Sequence, residues 1–282
     1  MMSTPDSAPR IRDLHGLADY QAVVDLERAI WGYTDSGDLI TIPVFIITIK
    51  RGGILIGAFD AADRMIGFAF SIVGVKDGRP TQWSHMMGVL PDHRRGGLGR
   101  RLKLAQRDRA LAAGFDLMEW TFDPLQALNA HLNFARLGVL CNEYVRNLYG
   151  ESTSALHRGT PTDRFVVEWN LREPHVQRRV EADGRISVRA TEAADAPLVN
   201  ATLPNGKWRA RGTVDLGLTD RRVWVEVPTG FTEMQQEAPD LALEWRLQSR
   251  EIFETYFARG YRAVDFELRN AEGCGRYLLA LA

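Results

Sequence analysis

Through residue 171, apolar residues fall either at helical spacing or in short runs, which predicts helices alternating with strands. Helices are expected at 19–30, at 98–113 and at 124–137. Runs rich in β-branched and aromatic residues predict strands at 54–59, 65–75, 82–89, 115–122 and 164–171. This mixture is typical of an α/β (α+β) fold in which helices flank a mixed central sheet.

Prolines mark the starts of two helices, one of them not yet named. Pro43 suits the first turn of a helix, whereas residues 44–49 are so rich in β-branched side chains that a strand is also predicted there. Asp123 precedes Pro124 and is predicted to cap the helix that follows. The sequence leaves helix and strand open for 44–49.

Beyond about residue 181 the order of strand, helix and strand recurs in a weaker form. Strands are predicted at 222–227 and 264–268, and a helix at 240–257 contributes Trp245 and Tyr256 to a core that also holds Trp224. The pattern favours two domains, residues 11–171 and a second, degenerate α/β unit at 181–282. Two explanations of the recurrence are left open: an ancient duplication, and the general abundance of strand–helix–strand units.

Composition narrows the classes of protein. The 282 residues carry a net charge of −1, which removes the electrostatic basis for nucleic acid or an anionic membrane as the main partner. No apolar run approaches the roughly 20 residues of a spanning helix, and residues 1–10 are expected to form a polar, frayed tail. Cys141 and Cys274 are too few for a disulfide framework or a zinc cluster, so a reduced, cytoplasmic protein without a metal site is expected.

The stretch most informative about chemistry lies between the strand 82–89 and the helix 98–113. Residues 88–101 are Gly-Val-Leu-Pro-Asp-His-Arg-Arg-Gly-Gly-Leu-Gly-Arg-Arg. Glycines let backbone amides approach an anion, and the first turn of a helix offers N–H groups with partial positive charge. Arginines add charge-assisted hydrogen bonds. The stretch therefore predicts a phosphate-binding turn.

Three other glycine-rich motifs fit this stretch less well. A P-loop requires Gly-Lys-Ser/Thr, but Gly99 is followed by two arginines, and a dinucleotide fingerprint requires a small residue at the position of Leu102. RNA-binding Arg-Gly-Gly tracts are repeated and disordered rather than enclosed by two apolar elements. None of the three accounts for the pattern.

The stretch resembles the coenzyme A loop of the GNAT acyltransferase superfamily, in which Gln/Arg-x-x-Gly-x-Gly/Ala follows a strand ending in Val-x-Pro. Arg94, Gly97 and Gly99 match the loop, and residues 89–91 match the strand end. Residues 136–139 are similar to the Tyr-x-x-x-Gly-Phe ending of a later helix. For 11–171 the resemblance implies a GNAT-like mixed sheet, and the full length is most similar to a longer subgroup of predicted acetyltransferases.

The resemblance implies how coenzyme A would bind. Met87 and Val89 would bond the pantetheine arm through their main chains, where the strand splays from its neighbour. One run of residues would wrap the diphosphate: Arg94, Arg95, Gly96, Gly97, Leu98, Gly99 and Arg100. Asn129 and Asn133 lie on the later helix, where an asparagine often touches the cofactor in the family. Arg101 and Lys103 are expected to be solvated.

The resemblance also implies catalytic residues: His85 on the strand before the loop, Glu119 on the next strand and Tyr144 after the later helix. His85 or Glu119 would take a proton from the attacking amine, a task that suits the ordinary pKa of histidine, near 6.5. Phe134 stands where the family often has an acidic tyrosine, so Tyr144 or Tyr149 would replace it. The structural alternatives are a hydrogen-bonded strand histidine, a surface carboxylate and half-buried tyrosines.

The activity implied is acyl-CoA-dependent N-acyl transfer, with direct attack by an amine in a ternary complex. Acetyl-CoA is the simplest donor and succinyl-CoA is left open; the expected acceptor is a small amine or amino acid, and a homodimer is left open. The alternative is a non-catalytic coenzyme A sensor or partner-binding module. In the second unit Pro228 precedes Thr229, Gly230 and Glu233 without a Gly-x-Gly, so no second cofactor site is expected.

Overall fold

The computed structural model describes residues 8–33, 36–94, 96–150, 160–182, 193 and 195–281. The described residues form two compact units, the first within 8–120 and the second within 121–281. The division expected from the sequence, between 171 and 181, falls inside the second unit. None of the described helices is long and apolar enough to cross a membrane.

The first unit is a sheet flanked by helices. Its elements in chain order are β1 (Arg10–Asp13), α1 (Gly16–Trp31), α2 (Ile42–Lys50), β2 (Ile54–Phe59), β3 (Met65–Lys76), β4 (Arg79–Val89), α3 (Leu98–Ala112) and β5 (Leu117–Phe122), which leads into the second unit. The strand order follows the chain from β1 to β5. Strands β1 to β4 are antiparallel to their neighbours, whereas β5 runs parallel to β4.

Helices α1 and α3 lie on opposite faces of this sheet. The Trp31 ring of α1 packs edge-on against Phe68, with ring centroids 6.0 Å apart. Leu102 of α3 lies over Gly67, where an added Cβ would come within 3.4 Å of it. Because successive strand residues point to opposite faces, the contacts at positions 67 and 68 separate the two helices.

Residues 44–49, for which the sequence left both helix and strand open, are helical. Pro43 stands in the first turn of α2, and the fully buried Phe45 packs edge-on against Phe70 at 5.0 Å between ring centroids. The weak helix propensity of its β-branched residues is overcome by packing on the apolar cluster that α1, β2 and β3 share.

The second unit contains antiparallel strands and its own helices. Its elements are α4 (Ala127–Ala130, continued as a π-helix over His131–Leu137), β6 (Leu140–Val145), β7 (Arg164–Asn170), α5 (Pro174–Glu181), β8 (Asn200–Asn205), β9 (Trp208–Val214), β10 (Arg222–Pro228), α6 (Phe231–Glu237), α7 (Pro239–Ala258), β11 (Tyr261–Arg269) and β12 (Cys274–Leu281). The strand order is β7-β6-β11-β12-β10, with β8 and β9 forming a separate hairpin. Trp224, Trp245 and Tyr256 are buried, as predicted. With both units, the predicted mixed α/β fold class is confirmed.

Candidate active site

Strand β4 pairs with β5 over a short distance. Among the described residues the parallel ladder joins Gln82 to Met118 and Trp83 to Glu119, although β4 continues to Val89. Beyond these pairs the described part of β4 pairs with β3 alone. We call the opening between residues 84–89 of β4 and Trp120 of β5 the fork.

A β-bulge lies at the inner end of the fork. The register between β3 and β4 changes from Ser71–Ser84 to Phe70–Met86, which leaves His85 as the extra residue of β4. A bulge bends its strand and increases the local twist. This bend accounts for the separation of β4 from β5 immediately after their last paired residues.

The backbone groups of Met87 and Val89 point into the fork. The Leu90 N–H donates to the Ile66 carbonyl at 2.9 Å, which makes Leu90 and Ile66 a hydrogen-bonded pair of the β3–β4 ladder. Hydrogen-bonded and non-hydrogen-bonded pairs alternate, so Val89 and Met87 turn their N–H and C=O groups away from β3. The Arg94 Nε donates to the Val89 carbonyl at 3.1 Å, in agreement with this direction.

Two glycines shape the turn between β4 and α3. Gly96 and Gly97 have φ angles of +96° and +77°, a left-handed conformation that side chains disfavour, and open space surrounds both Cβ positions. The Arg101 amide, 3.1 Å from the Gly97 carbonyl, begins the α-helical bonding of α3. The amides of Leu98 and Gly99 precede it and stand at the positive end of the helix dipole.

The arginines predicted around this turn have different environments. Arg94 is exposed, and Arg95 lies outside the described residues. Arg100 is only 9% exposed, so its side chain belongs to the interior and its backbone is the part that faces the turn. Arg101 donates from its guanidinium to the Pro9 carbonyl. Arg94 is therefore the described arginine best placed to meet an anion.

Lys103 was expected in solvent, and that prediction is wrong. Its side chain is buried at 3% exposure, with Nζ donating to Ser84 Oγ at 2.7 Å and lying 3.6 Å from the ring centroid of Trp120. The Ser84 hydroxyl in turn donates to Gln106 Oε1 at 2.9 Å. Burial lowers the pKa of Lys103 from 10.5 to about 7. Helical periodicity offered no signal for this residue.

Glu119 lies on the face of the sheet opposite α3. Ser84 turns toward α3, so its neighbour Trp83 faces away, and Glu119 shares that face as the cross-strand partner of Trp83. The carboxylate is buried and pairs with Lys76 Nζ at 2.7 Å. The structural alternative of a surface carboxylate therefore does not hold.

His85 is exposed and belongs to the same side of the sheet. Its ring stands edge-on to Phe70, with centroids 6.2 Å apart, and Phe70 is part of the core beneath α1 and α2. Desolvation against this apolar surface lowers the pKa of His85 below its usual 6.5. A neutral imidazole at pH 7 can accept a proton.

Tyr144, the predicted acid, belongs to the second unit and is bound to a carboxylate. Its hydroxyl donates to Asp163 Oδ2 at 2.6 Å, and Arg250 Nε donates to the same oxygen at 2.8 Å. Burial raises the pKa of Tyr144 above its usual value of 10. Tyr149 is exposed, with its hydroxyl 2.8 Å from Thr121 Oγ1.

The later helix is less regular than predicted. Asn129 on α4 is exposed, whereas Asn133 on the π-helical continuation is buried at 4% exposure. Asp123 does not cap α4 at its first residue. Its carboxylate instead accepts from the Leu125 amide at 2.9 Å and forms a buried, two-point ion pair with Arg246.

The second unit has a different turn where a second cofactor loop would stand. Strand β10 ends at Pro228, Gly230 caps α6 with φ +70°, and Glu233 lies in the first turn of the helix. A carboxylate at a helix start repels phosphate and neutralises the helix dipole. This arrangement agrees with the prediction that the glycine loop of the first unit is not repeated.

One group in the described part of the second unit has the spacing of metal ligands: Glu226, Glu272 and Cys274. Arg276 donates to Glu226 Oε1 from Nε at 3.0 Å and from a terminal nitrogen at 2.9 Å. A guanidinium already balances the charge of this carboxylate, so we assign no metal to the group.

No family model matches the chain, and no curated protein is significantly similar to it. Solved structures of GNAT-superfamily N-acetyltransferases are among those it resembles.

A putative acetyltransferase from Salmonella typhimurium with its cofactor acetyl-CoA is 22% identical at a TM-score of 0.46, over 59% of this chain and 96% of that one. The ribosomal-protein-S18-alanine N-acetyltransferase from Escherichia coli is 19% identical at 0.44, over 58% and 94%. A GNAT superfamily phosphinothricin acetyltransferase from Sinorhizobium meliloti in complex with AcCoA is 17% identical at 0.46, over 57% and 87%. Each match spans little more than half of this chain.

Proposed function

We propose that the protein is an acyl-CoA-dependent N-acyltransferase, with acetyl-CoA as the simplest donor. The observation that carries the proposal is the fork, in which the outward backbone groups of Met87 and Val89 lead into the glycine turn at the start of α3. A pantetheine arm carries amides that need partners along its length, and a diphosphate needs converging N–H groups. The fork offers partners for the pantetheine amides, and the turn that follows it offers N–H groups for the diphosphate.

The dimensions of β4 support this placement. From Val89 back to Ser84 the strand spans about 17 Å, close to the length of an extended phosphopantetheine arm. With the phosphates at the Leu98 and Gly99 amides, the thioester would reach the bulge at His85. The acyl group would then lie at the inner end of the fork.

The reaction would be direct transfer to an amine on the face of Glu119 and His85. The amine nitrogen attacks the thioester carbon while the Met87 N–H stabilises the oxygen, a type of contact that contributes about 100- to 1000-fold. His85, neutral because of its lowered pKa, takes the proton that the amine loses. Glu119, held by Lys76, would position the amine.

The acceptor class that fits best is a small amine or amino acid. A net charge of −1 gives the molecule little long-range attraction for strongly basic protein substrates. A dicarboxylic donor such as succinyl-CoA is an alternative to acetyl-CoA, and comparing donors in the assay below distinguishes them.

Coenzyme A binding is the first test. Ligand at about 100 times Kd adds about 2.7 kcal/mol to the free energy of unfolding, which for a chain of this size raises Tm by about 5 to 10 °C. Gly99→Asp places a carboxylate at the helix start and is expected to abolish the shift. Ala112→Asp, with the same charge at the other end of α3, should keep it. An unchanged shift in Gly99→Asp would mean that the diphosphate binds elsewhere.

Turnover separates the enzyme from a non-catalytic coenzyme A sensor. The sensor is favoured by one observation: Phe134 replaces the expected tyrosine, and the Tyr144 hydroxyl is bound to Asp163. Incubation with acetyl-CoA and a panel of amines should release free thiol in an amine-dependent manner. Binding without release, across acetyl, propionyl and succinyl donors, would support the sensor.

A further inference from the structure

The ammonium group of Lys103 stands at the inner end of the fork. Its two contacts, Ser84 on β4 and Trp120 on β5, are the residues that directly follow the last paired positions of these strands. One cation therefore touches both strands at the point where they part. If coenzyme A binds as proposed, its sulfur lies at this end of β4.

Lys103 has no counter-ion among the residues that the structure describes, and the hydrogen-bond partner of its Nζ is the neutral Ser84 hydroxyl. A buried charge without an opposite charge is destabilised by the loss of water. An anion that formed beside such a group would therefore lower its free energy strongly.

The other charged groups around this lysine do not supply an anion. On α3 itself the residues one turn before and after are Arg100 and Arg107, both cationic. On β5 the nearby carboxylate is that of Glu119, which faces the opposite side of the sheet and pairs with Lys76.

The strands packed against α3 contribute only neutral polar groups at this level. Ser71 of β3 and Gln82 and Ser84 of β4 turn to this face, and Ser71 Oγ donates to Gln82 Oε1 at 2.6 Å. The surroundings of the Lys103 amine are therefore uncharged on the strand side.

We propose that Lys103 stabilises the coenzyme A thiolate as the acyl–sulfur bond breaks. The inference rests on the function proposed above. The acceptor nitrogen forms its bond to the acyl carbon, the carbon–sulfur bond breaks, and its electron pair stays on sulfur. The proton lost by the amine goes to His85, and the Lys103 ammonium keeps its protons and pairs with the thiolate. His85 then releases its proton to solvent, and the thiolate takes one from solvent when the product leaves.

This arrangement favours the transition state over the bound substrate. A thioester is neutral and gives the buried ammonium nothing to pair with, whereas the departing sulfur carries negative charge. An interaction that appears only as charge develops lowers the barrier rather than strengthening ground-state binding. It would also make a proton donor at the position of Phe134 unnecessary.

The thiol pKa of bound coenzyme A tests the proposal without turnover. Titration followed by the ultraviolet absorbance of the thiolate should give a bound thiol at least about one unit more acidic than an ordinary thiol near 8.5. In Lys103→Met the bound thiol should titrate at or above the ordinary value. Equal thiol pKa values in the two proteins would overturn the proposal.

Kinetics provide the second readout. Lys103→Met should keep the Tm shift with coenzyme A but lower kcat by about 100- to 1000-fold, the range for one contact to a developing negative charge. Methionine fills the same space and removes a buried charge, so the variant is expected to fold. Lys50→Met, an exposed lysine of α2, should leave kcat unchanged.

The two proposals fail in different ways. A wild-type protein with neither a Tm shift nor thiol release would remove the proposed function. Wild-type turnover together with an unaltered kcat and bound-thiol pKa in Lys103→Met would remove only the role of this lysine.

Discussion

Glu27 on α1 shows how one buried side chain makes stability depend on pH. The residue is fully buried; Oε2 accepts from the Ile40 amide at 2.9 Å, while Oε1 has no partner among the described residues. Desolvation outweighs the single hydrogen bond and raises the pKa of Glu27 from 4.5 to about 7. The folded protein therefore holds this proton more tightly than the unfolded chain.

Glu27→Gln should remove that dependence. Between pH 4.5 and 7 the folded state binds the extra proton, so this contribution to stability is present below pH 4.5 and lost as the pH rises through 7. Relative to the variant, the wild type should lose on the order of 3 kcal/mol across this window. Urea unfolding at both ends measures it, with Asp25→Asn on the exposed side of α1 as control. Parallel curves for wild type and Glu27→Gln would contradict the assignment.

Individual residues differed in how far the sequence could place them. Gly96 and Gly97 were predictable because a left-handed turn at a helix start has a local glycine signature. Lys103 was not, because its burial depends on Ser84 and Trp120, which arrive from two strands. Periodicity within one helix counts a lysine as polar whatever lies opposite it.

At the scale of elements, the end of the π-helix after α4 depends on a buried ion pair. Arg179 of α5 donates to the carbonyls of Phe134 and Ala135 at 2.6 and 2.8 Å. Its guanidinium also pairs with Asp265 of β11 at 2.8 Å, and the two side chains are 3% and 0% exposed. One side chain thus satisfies helix carbonyls and a strand carboxylate together.

Arg179→Met should be strongly destabilising. It leaves the Asp265 carboxylate buried without its cation and the helix carbonyls without a donor, and loss of one partner of a buried pair costs about 3 to 5 kcal/mol. Equilibrium unfolding in urea measures the change. Lys207→Met, in the exposed pair with Glu237, is the matched control and should change stability by less than about 1 kcal/mol. A similar small effect of both variants would show that the buried pair is dispensable.

Several elements were predicted close to their observed bounds, and others were missed. Strand β2 was predicted at its observed bounds, and α3 differs by one residue at its end. Strands β6 and β12 were not predicted, because β6 is short and half polar and β12 is an apolar run without alternation. The π-helical turn leaves no mark in the sequence, since it depends on contacts such as that with Arg179.

At the scale of the whole molecule, each chain should bind one coenzyme A. Within the described part of the chain, only the turn after β4 combines glycines in the left-handed region with a helix start free of acidic side chains, whereas α6 begins with Glu233 in its first turn. Isothermal titration should give a stoichiometry of one. Gly99→Asp should abolish that binding entirely, and residual binding in this variant would indicate a second site.

The sequence predicted many of the elements in their order along the chain, but its division into two domains differs from the two compact units. It put the division after residue 171, where a loop and a change of pattern suggested one, whereas the chain passes from one compact unit to the other within β5. A boundary inside a strand cannot be recognised from turn residues. It reflects which contacts each half of the chain makes, and those contacts are long-range.

The extra residue in β4 has a consequence for how such a cleft can arise. Without His85, Ser84 and Met86 would follow each other in regular alternation opposite Ser71 and Phe70, and every other side chain of the strand would keep its face. Without that bend, the ladder between β4 and β5 is expected to continue past Trp83 and Glu119. A single inserted codon would thus separate, in this chain, a continuous ladder from one that stops at the bulge.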